Sequence, residues 1–282
     1  MKKVEYIITK EETLENFLNN FKIAKSKIYK LSINKCFLLN GENINLNTIL
    51  KENDILEIDF SILGGNVQLW NKTVDIVYED DDIIVVNKER GMLVHSDGDN
   101  SHTLTSALNY YLDKRNELIT LSSINRIDVD TEGLVLFSKH PLANAFLDNE
   151  MAKGNIKKQY LAVVAGNVLP GEDTISYPIG KDRHESNKYI VSKSGKEAIT
   201  KYKVLKTKNN KTLVEIDLLT GRTHQIRVHF SYLKHPLIGD KIYNKKYNNE
   251  PLMLLAKKII FTHPRSFKEM IIEIKNTQEF NI

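Results

Sequence analysis

The first 65 residues carry a hydrophobic pattern of their own. Behind a capping-box motif at residues 9–12, apolar residues recur at helical spacing, namely Leu14, Phe17, Leu18 and Phe21. This spacing predicts a short amphipathic helix. A second helix is predicted to begin at Ser26, a good N-cap, and to end near Asn34. The Asn40-Gly41 pair predicts a two-residue hairpin, and the alternating residues 56–60 predict a strand.

From residue 66 onward, strands and helices mix without a regular strand-helix alternation. Five segments have the pattern of strands: residues 82–87, 133–138, 160–165, 212–218 and 270–274. Several are apolar on both faces, which is typical of central strands. Helices are predicted from the stripe that begins at Leu104 and from Pro141 to Gly154. This order favours an α+β fold with a mixed, mainly antiparallel sheet. Residues 61–66, which contain Gly64-Gly65, are the predicted linker between domains 1–65 and 66–282.

The composition is that of an ordinary globular protein. Among the 282 residues are 40 Lys and Arg against 36 Asp and Glu, a net charge of +4, and 41% are hydrophobic. The apolar runs fall far short of the roughly 20 residues of a membrane span, so no membrane association is expected. A single cysteine, Cys36, excludes an internal disulfide and a cysteine-based zinc site. With a polar N-terminus, it predicts a cytoplasmic protein.

Positive charge is concentrated in two stretches. Residues 16–41 contain no acidic side chain, and residues 181–211 carry ten basic side chains against three acidic ones. A single lysine-rich stretch is usually a solvated face. Because both stretches flank polar motifs, they indicate a polyanion such as RNA as the partner.

Two polar motifs hold the candidate chemistry. Residues 125–134 place carboxylates and an arginine before an apolar strand, and residues 219–229 place two arginines and two histidines after an alternating strand. Burying such charges is costly unless they are paired, so we expect an ion pair between Asp128 and Arg227 that holds the carboxylate ionised and nucleophilic. His224 and His229 do not share a helix face, so no metal site is expected. Phosphate-binding glycine loops are absent from the sequence, so no nucleotide cofactor is expected.

Several ordered motifs together resemble RNA pseudouridine synthases of the RluA-like, large-ribosomal-subunit type. They are residues 87–95, 126–134, 158–162, 220–227 and 235–240. The resemblance implies cofactor-free isomerisation of uridine to pseudouridine in RNA. Asp128 matches the essential aspartate, which either attacks the nucleotide covalently or removes a ribose proton. Tyr160 matches the tyrosine that stacks on the target base, and Arg227 matches the partner of the aspartate.

The resemblance also implies contacts with the substrate. Arg126 matches a residue that fills the space left by an everted base, and Ile226 is expected to line an apolar wall against the ring. Arg222 is expected to meet phosphate, and His224 of the same motif is a further candidate for substrate binding. The expected RNA is ribosomal, with transfer RNA as the alternative, and the expected state is a monomer.

Three positions depart from the family pattern. Asn125 stands where relatives usually carry His, Glu132 where many carry Ser, and Glu89 where Pro normally follows Asn-Lys. These differences leave the presumed catalytic groups in place. They weaken any transfer of substrate identity from the relatives.

The helix-helix-hairpin order of the first 65 residues resembles the S4 RNA-binding module. Its expected phosphate contacts are Lys22, Lys25, Lys27 and Lys30. Lysine keeps the charge of the usual arginine but loses its two-pronged hydrogen bonding, so phosphate contact without fine recognition is expected. The alternative for this unit is a helical cap on the main domain.

Two other function classes stay open at this point. One is a noncatalytic RNA-binding or ribosome-assembly protein, which has little reason to keep a carboxylate in a site for a polyanion. The other is a nucleoside hydrolase or glycosidase, which normally needs two cooperating carboxylates. Asp130 is the one candidate for a second carboxylate beside Asp128.

Overall fold

The N-terminal unit, up to residue 65, combines a small antiparallel sheet with two helices. The computed structural model describes residues 3–65, 67–96, 102–117, 120–247 and 249–282. The unit comprises β1 (Val4–Ile7), β2 (Glu12–Thr13), α1 (Leu14–Asn20), α2 (Lys25–Ile33), β3 (Phe37–Leu39), β4 (Glu42–Asn43), β5 (Ile49–Leu50) and β6 (Ile55–Ile58). The sheet has the order β1-β6-β3-β4, and β2 pairs with β5. Leu14, Leu18 and Leu31 are fully buried, which fixes the inner faces of both helices.

The two helix starts differ from the prediction. Helix α1 is capped by Thr13, whose hydroxyl accepts the Asn16 N–H at 3.3 Å, so residues 9–12 do not cap it. The reason is tertiary, because β2 pairs with β5 and keeps the chain extended up to Thr13. Helix α2 follows Ala24, which makes no side-chain cap, and the predicted cap Ser26 lies inside the helix.

The predicted hairpin is confirmed. Leu39 pairs with Glu42, which leaves a two-residue loop in which Asn40 and Gly41 have φ of 49° and 88°. Asn and Gly tolerate this left-handed region, and two such residues make the turn that joins twisted strands. The predicted strand at residues 56–60 is β6, which ends at Ile58.

The remaining strands build one ten-stranded sheet and a separate hairpin. They are β7 (Asp75–Glu79), β8 (Ile83–Lys88), β9 (Ser122–Ser123), β10 (Glu132–Ser138), β11 (Lys157–Ala165), β12 (Glu172–Ser176), β13 (Ile179–Lys181), β14 (Tyr189–Val191), β15 (Ile199–Lys208), β16 (Lys211–Leu218), β17 (Leu254–Thr262) and β18 (Glu269–Glu273). The main order is β12-β15-β16-β11-β17-β10-β8-β7, with β18 beside β17 and β9 beside β10. Strands β13 and β14 pair with each other.

The fold is α+β, with a mixed and mainly antiparallel sheet as predicted. Between β10 and β17 the pairing is parallel, and the other ladders of the large sheet are antiparallel in the described residues. Within the part of the chain that the structure describes, three helices accompany the sheet, α3 (Leu104–Lys114), α4 (Pro141–Ala152) and α5 (Gln225–Tyr232). Short 3-10 turns span Ser61–Leu63, Lys245–Tyr247 and Gln278–Phe280. Among the described helices, none is long and apolar enough to cross a membrane.

Gly133 allows the close approach of β10 and β17. It has φ of 113°, and a Cβ atom at this position would lie 2.4 Å from the Ala256 carbonyl oxygen. Only glycine suits both this backbone conformation and this space. This close approach of β10 and β17 lies directly after residues 125–132, so it fixes the point at which that polar loop joins the sheet.

The N-terminal unit packs on the sheet through one continuous hydrophobic cluster. Phe60 stacks on His140 with ring centres 5.7 Å apart, and the Arg265 guanidinium lies 4.2 Å from the Tyr6 ring centre. Arg265 and His140 both hydrogen bond to Asp82 at the start of β8. The linker predicted at residues 61–66 includes Asn66, which lies outside the described residues. The boundary between domains 1–65 and 66–282 stays a prediction.

Candidate active site

An open cleft of about 1260 Å³ is formed where the two polar motifs meet. Its walls come chiefly from the loop before β10 (residues 123–131), the end of α4, the start of β11, the β13–β14 hairpin and residues 218–227. Each of these segments ends or begins a regular element, so the sheet and α5 position the polar groups. The two motifs singled out in the sequence therefore share one site.

Asp128 lies in this cleft with a quarter of its side chain exposed. Nη1 of Arg227 donates to its Oδ2 at 3.1 Å, so the expected ion pair is present. Nε2 of His224 lies 3.9 Å from the same oxygen. The other oxygen, Oδ1, makes no hydrogen bond within the described residues, so one oxygen of the carboxylate is held by a hydrogen bond and the other is not.

Arg227 is buried in the first turn of α5 and held from behind. Its side chain is 3% exposed, and Nε and Nη2 donate to the two oxygens of Asp240 at 2.8 and 2.9 Å. Hydrogen bonds to Asp240 and the charge of Asp128 raise the pKa of Arg227 against the opposing effect of burial. The guanidinium is therefore a fixed cation between two carboxylates.

Tyr160 forms part of the apolar side of the cleft together with Ile226. The two residues are 5% and 4% exposed and belong to one hydrophobic cluster. Burial, and then the charge of Asp128, raises the pKa of the Tyr160 phenol well above its usual value. Tyr160 therefore stays protonated at neutral pH, as a flat apolar surface with one hydroxyl proton.

Two more arginines line the cleft but do not contact Asp128. Nη1 of Arg126 lies 3.1 Å from Nε2 of His95, and the side chain is exposed. Nε of Arg222 donates to the Glu197 carbonyl at 2.8 Å. Both leave guanidinium N–H groups for anionic groups that enter the cleft.

The lysines predicted to bind phosphate lie outside the cleft. All four are exposed: Lys22, Lys25, Lys27 and Lys30. Lys27 acts on Asp148 of α4, where its charge opposes the rise in pKa that burial produces. Helix α2 is therefore next to α4, and residues 151–154 at the end of α4 line the cleft. The structure does not bring these lysines to Asp128, but it places α2 beside one wall of the cleft.

Comparison with known proteins decides the family. The sequence pattern of the family described as RNA pseudouridylate synthase matches residues 82–232. An uncharacterized RNA pseudouridine synthase of Bacillus subtilis, YhcT, is 35% identical over 243 residues, which cover 83% of this chain and 80% of the relative. The ribosomal large subunit pseudouridine synthase D of Buchnera aphidicola is 34% identical over 267 residues, or 90% and 84% of the two chains. The chain belongs to the RNA pseudouridylate synthase family.

The fold agrees with this assignment. The structure of human RNA pseudouridylate synthase domain containing 1 superimposes with a TM-score of 0.62 at 24% identity, over 76% of this chain and 86% of that one. The chain is an RNA pseudouridine synthase, an isomerase that converts uridine to pseudouridine in RNA. The predicted activity is thus confirmed, and the hydrolase, glycosidase and noncatalytic alternatives are set aside.

Lys88 of the synthase lies in the motif at residues 87–95, and its place in the sequence predicted no role for it. Its side chain is 1% exposed, and Nζ donates to the carbonyls of Glu89, Met92 and Val129, each at 2.9 Å. Burial lowers the pKa of Lys88 to about 8, against the charges of Asp128 and its neighbours. Because Val129 directly follows Asp128, this ammonium fixes the backbone of the loop that carries Asp128.

The three departures from the family pattern have structural partners. The Asn125 amide accepts the Leu136 N–H at 2.8 Å and donates to the Leu134 carbonyl at 3.2 Å, so it ties the loop to β10. Glu132 forms an ion pair with Arg90 at 2.6 Å. Glu89 pairs with Lys72 at 2.9 Å. Asn125 and Glu132 therefore hold the two ends of the segment around Asp128, whereas Glu89 forms an exposed ion pair. Within the described residues, the hydrogen-bond and ion-pair partners of all three do not include the Asp128 carboxylate.

One group of residues in the described part of the synthase has the spacing of a metal site. Ligand atoms of Asp80, Asp82 and His263 lie within 4.8 Å of one another. His263 hydrogen bonds to Asp80 at 2.8 Å, and Arg265 pairs with Asp82 at 2.6 Å. Because a guanidinium already occupies this position, the group connects the N-terminal unit to the sheet and does not fit a cation site.

Proposed function

We propose that Asp128 is the catalytic carboxylate of the synthase, with Arg227 as its charge partner and Tyr160 as the surface that receives the uracil. The observation that carries the proposal is the Arg227–Asp128 ion pair of 3.1 Å at the edge of an open cleft. A buried arginine holds one oxygen of a partly exposed carboxylate, which leaves the other oxygen for substrate. This is the arrangement that an oriented nucleophile or base requires.

The reaction breaks the N1–C1′ bond of uridine and forms a C5–C1′ bond, while C5 loses a proton and N1 gains one. Asp128 serves either by attacking the nucleotide, with the bond to the enzyme broken again when C5 is joined, or by taking a proton from the ribose and returning it when C5 is joined. Both routes need an ionised carboxylate close to the sugar. Arg227 holds Asp128 in place with a hydrogen bond of 3.1 Å from a guanidinium that is permanently charged.

The target base must leave its stack to reach Asp128. Turning a base out of folded RNA costs a few kcal/mol. Stacking on Tyr160, beside the apolar side chain of Ile226, returns roughly 1–3 kcal/mol. Arg126 at the cleft edge enters the space that the base vacates, while Arg222 and His224 contact the flanking backbone and the nucleotide.

The proposed substrate is ribosomal RNA. Support comes from the relatives whose names specify the large ribosomal subunit, including the Buchnera aphidicola protein and a Vibrio parahaemolyticus protein that is 40% identical over 171 residues. Transfer RNA is the alternative. Since these RNAs occur in the cytoplasm, we place the synthase there as well, and we propose that it acts as a monomer because one chain supplies every cleft group described above.

For the N-terminal unit, we propose an S4-like RNA-binding module, residues 1–65, beside a catalytic domain of residues 66–282. Lys27 of α2 is exposed and acts electrostatically on Asp148 of α4, whose end lines the cleft. RNA that reaches Asp128 can thus extend over α2. Such contacts to phosphate strengthen binding without reading sequence.

Pseudouridine mapping in cells that lack the gene tests the proposal. We expect carbodiimide mapping to show loss of at least one pseudouridine in large-subunit ribosomal RNA, restored by the wild-type gene and by Asp113→Asn, an exposed control on α3. Asp128→Asn is expected not to restore it. Loss confined to transfer RNA would overturn the ribosomal assignment, and restoration by Asp128→Asn would overturn the role of Asp128.

A further inference from the structure

Tyr243 contacts His224 and Asp240, the two residues that lie next to the proposed Asp128–Arg227 pair. The Tyr189 backbone N–H donates to the Tyr243 hydroxyl oxygen at 2.9 Å, and Nδ1 of His224 lies 3.0 Å from that oxygen. These are the partners of the hydroxyl among the described residues. The Tyr243 N–H donates to Oδ1 of Asp240 at 3.1 Å, so the carboxylate that holds Arg227 also fixes the turn of Tyr243.

The direction of the hydrogen bond to His224 follows from the donors available. Burial raises the pKa of Tyr243 to about 12, so the phenol keeps its proton at neutral pH. Its oxygen already accepts the Tyr189 N–H. Among the described residues, Nδ1 of His224 is the one acceptor within hydrogen-bond distance of the hydroxyl, so we assign the hydroxyl as the donor and Nδ1 as the acceptor.

The surroundings of Nε2, the other ring nitrogen of His224, favour the same tautomer, with the proton on Nε2. Burial lowers the pKa of His224 below its usual value, against the charge of Asp128, so the ring is neutral at pH 7. Its Nε2 lies 3.9 Å from Oδ2 of Asp128. An N–H at this position attracts the carboxylate, whereas a lone pair would repel it. Both ends of the ring thus favour a proton on Nε2.

We propose that Tyr243 is a positioning residue that fixes His224 as the neutral Nε2–H tautomer, so that Oδ2 of Asp128 faces two donors and Oδ1 is left for the nucleotide. The proposal rests on the proposed role of Asp128 as the catalytic carboxylate. His224 has φ of 55°, a left-handed conformation that few residues other than glycine adopt. Such strain is commonly retained where it sets the direction of a functional side chain.

Loss of the Tyr243 hydroxyl has a specific consequence. Nδ1 of His224 then becomes free to bind a proton, and the resulting imidazolium competes with the nucleotide for Asp128. The titratable and charged groups that face His224 are Asp128, Asp130, Arg227, Asp240, Tyr243 and Tyr189. When the hydroxyl is lost and these groups are unchanged, we expect the His224 pKa to rise by about one unit, because the free energy of one net hydrogen bond corresponds to about one pKa unit.

Tyr243→Phe tests the proposal and keeps the ring that lies 5.4 Å from the Arg227 guanidinium carbon. On the acid limb of the kcat profile we expect kcat to fall up to about tenfold, with KM within twofold, because the limb moves about one unit upward, and we expect the loss to shrink towards neutral and alkaline pH. Tyr247→Phe, which removes a hydroxyl outside the cleft, is expected to change neither. A loss of activity that is equal at every pH would overturn the proposal, because it indicates a merely structural hydroxyl.

Nitrogen NMR of the histidine rings gives a second readout that needs no turnover. In the wild-type protein we expect His224, assigned by the signal missing from His224→Gln, to show a protonated Nε2 and a bare Nδ1 near pH 7. A proton on Nδ1 would overturn the inference. This measurement is independent of Asp128→Asn activity, so failure of the inference and failure of the proposed function are distinguishable.

Discussion

Asp240 holds the Arg227 guanidinium with two hydrogen bonds, of 2.8 Å to Nε and 2.9 Å to Nη2. The remaining Nη1 is thereby directed at Asp128. Asp240 thus orients the Arg227 guanidinium towards Asp128. In the sequence, Asp128 precedes α5 and Asp240 follows it. Asp240 is the last residue of the motif at residues 235–240, and its contact with Arg227 gives it a role that the sequence did not predict.

Asp240→Asn is expected to weaken both folding and catalysis. The change leaves a buried guanidinium with one counterion fewer, and removal of one partner of a buried pair costs roughly 3–5 kcal/mol. Since Asp128 still pairs with Arg227, we expect a loss near the lower end of that range in the free energy of unfolding, measured in urea. An unchanged free energy of unfolding would mean that Asp240 does not hold Arg227.

The lowered pKa of Lys88 predicts that the stability of the folded protein depends on pH. Burial lowers its pKa from 10.5 to about 8 in the folded protein, so folding releases a proton between these values. The contribution of Lys88 to the free energy of unfolding therefore rises as the pH is raised from about 8 towards 10.5. We expect the difference between wild type and Lys88→Met to grow in this window by up to about 3 kcal/mol, at 1.36 kcal/mol per pKa unit. A difference that is flat with pH would show that Lys88 titrates normally.

Gly133→Ala is expected to disturb the sheet just after the Asp128 loop. The new Cβ would lie 2.4 Å from the Ala256 carbonyl, at φ of 113°. A conformation of this kind costs about 1–3 kcal/mol for other residues before any clash is added. Gly65→Ala, which meets nothing within 4 Å, is the control and is expected to stay within about 0.5 kcal/mol. Equal thermal unfolding of the two variants would contradict the close approach of β10 and β17.

Much of the central sheet could be predicted because its strands are buried on both faces. Strands β8, β10 and β11 follow from apolar runs, and β16 follows from the alternation of apolar and polar residues. The lysine-rich β15 and the polar β13–β14 hairpin were not predicted, since exposed strands carry a weaker apolar signal. The start of α1 was misplaced because a long-range pairing of β2 with β5, invisible in local sequence, decides where the helix begins.

The site shows the same division. Asp128 and Arg227 were predicted to pair because two charged motifs need to neutralise each other when buried. The partners of Lys88 are backbone carbonyls. Every residue has a carbonyl, so these contacts could not be predicted from residue types. The Tyr243–His224 contact joins residues 19 positions apart and depends on the turn that Asp240 folds.

The lysines of the N-terminal unit are predicted to affect binding and not chemistry. Replacing Lys22, Lys25, Lys27 and Lys30 with Ala should weaken RNA binding and flatten its salt dependence, by up to about 0.7–0.9 in slope per lost phosphate contact. The control removes four lysines that already pair with glutamates, namely Lys3, Lys72, Lys257 and Lys258. A lower single-turnover rate at saturating RNA, with unchanged affinity and salt slope, would contradict this prediction.

The most direct test of Asp128 is a single-turnover measurement with purified protein and saturating RNA. RNA binding and pseudouridine formation are followed in the same samples for wild type and Asp128→Asn. We predict that the variant binds RNA within about twofold of wild type and forms pseudouridine at least about 10²-fold more slowly, since it lacks the reacting carboxylate. Wild-type conversion by a normally binding Asp128→Asn would contradict the account.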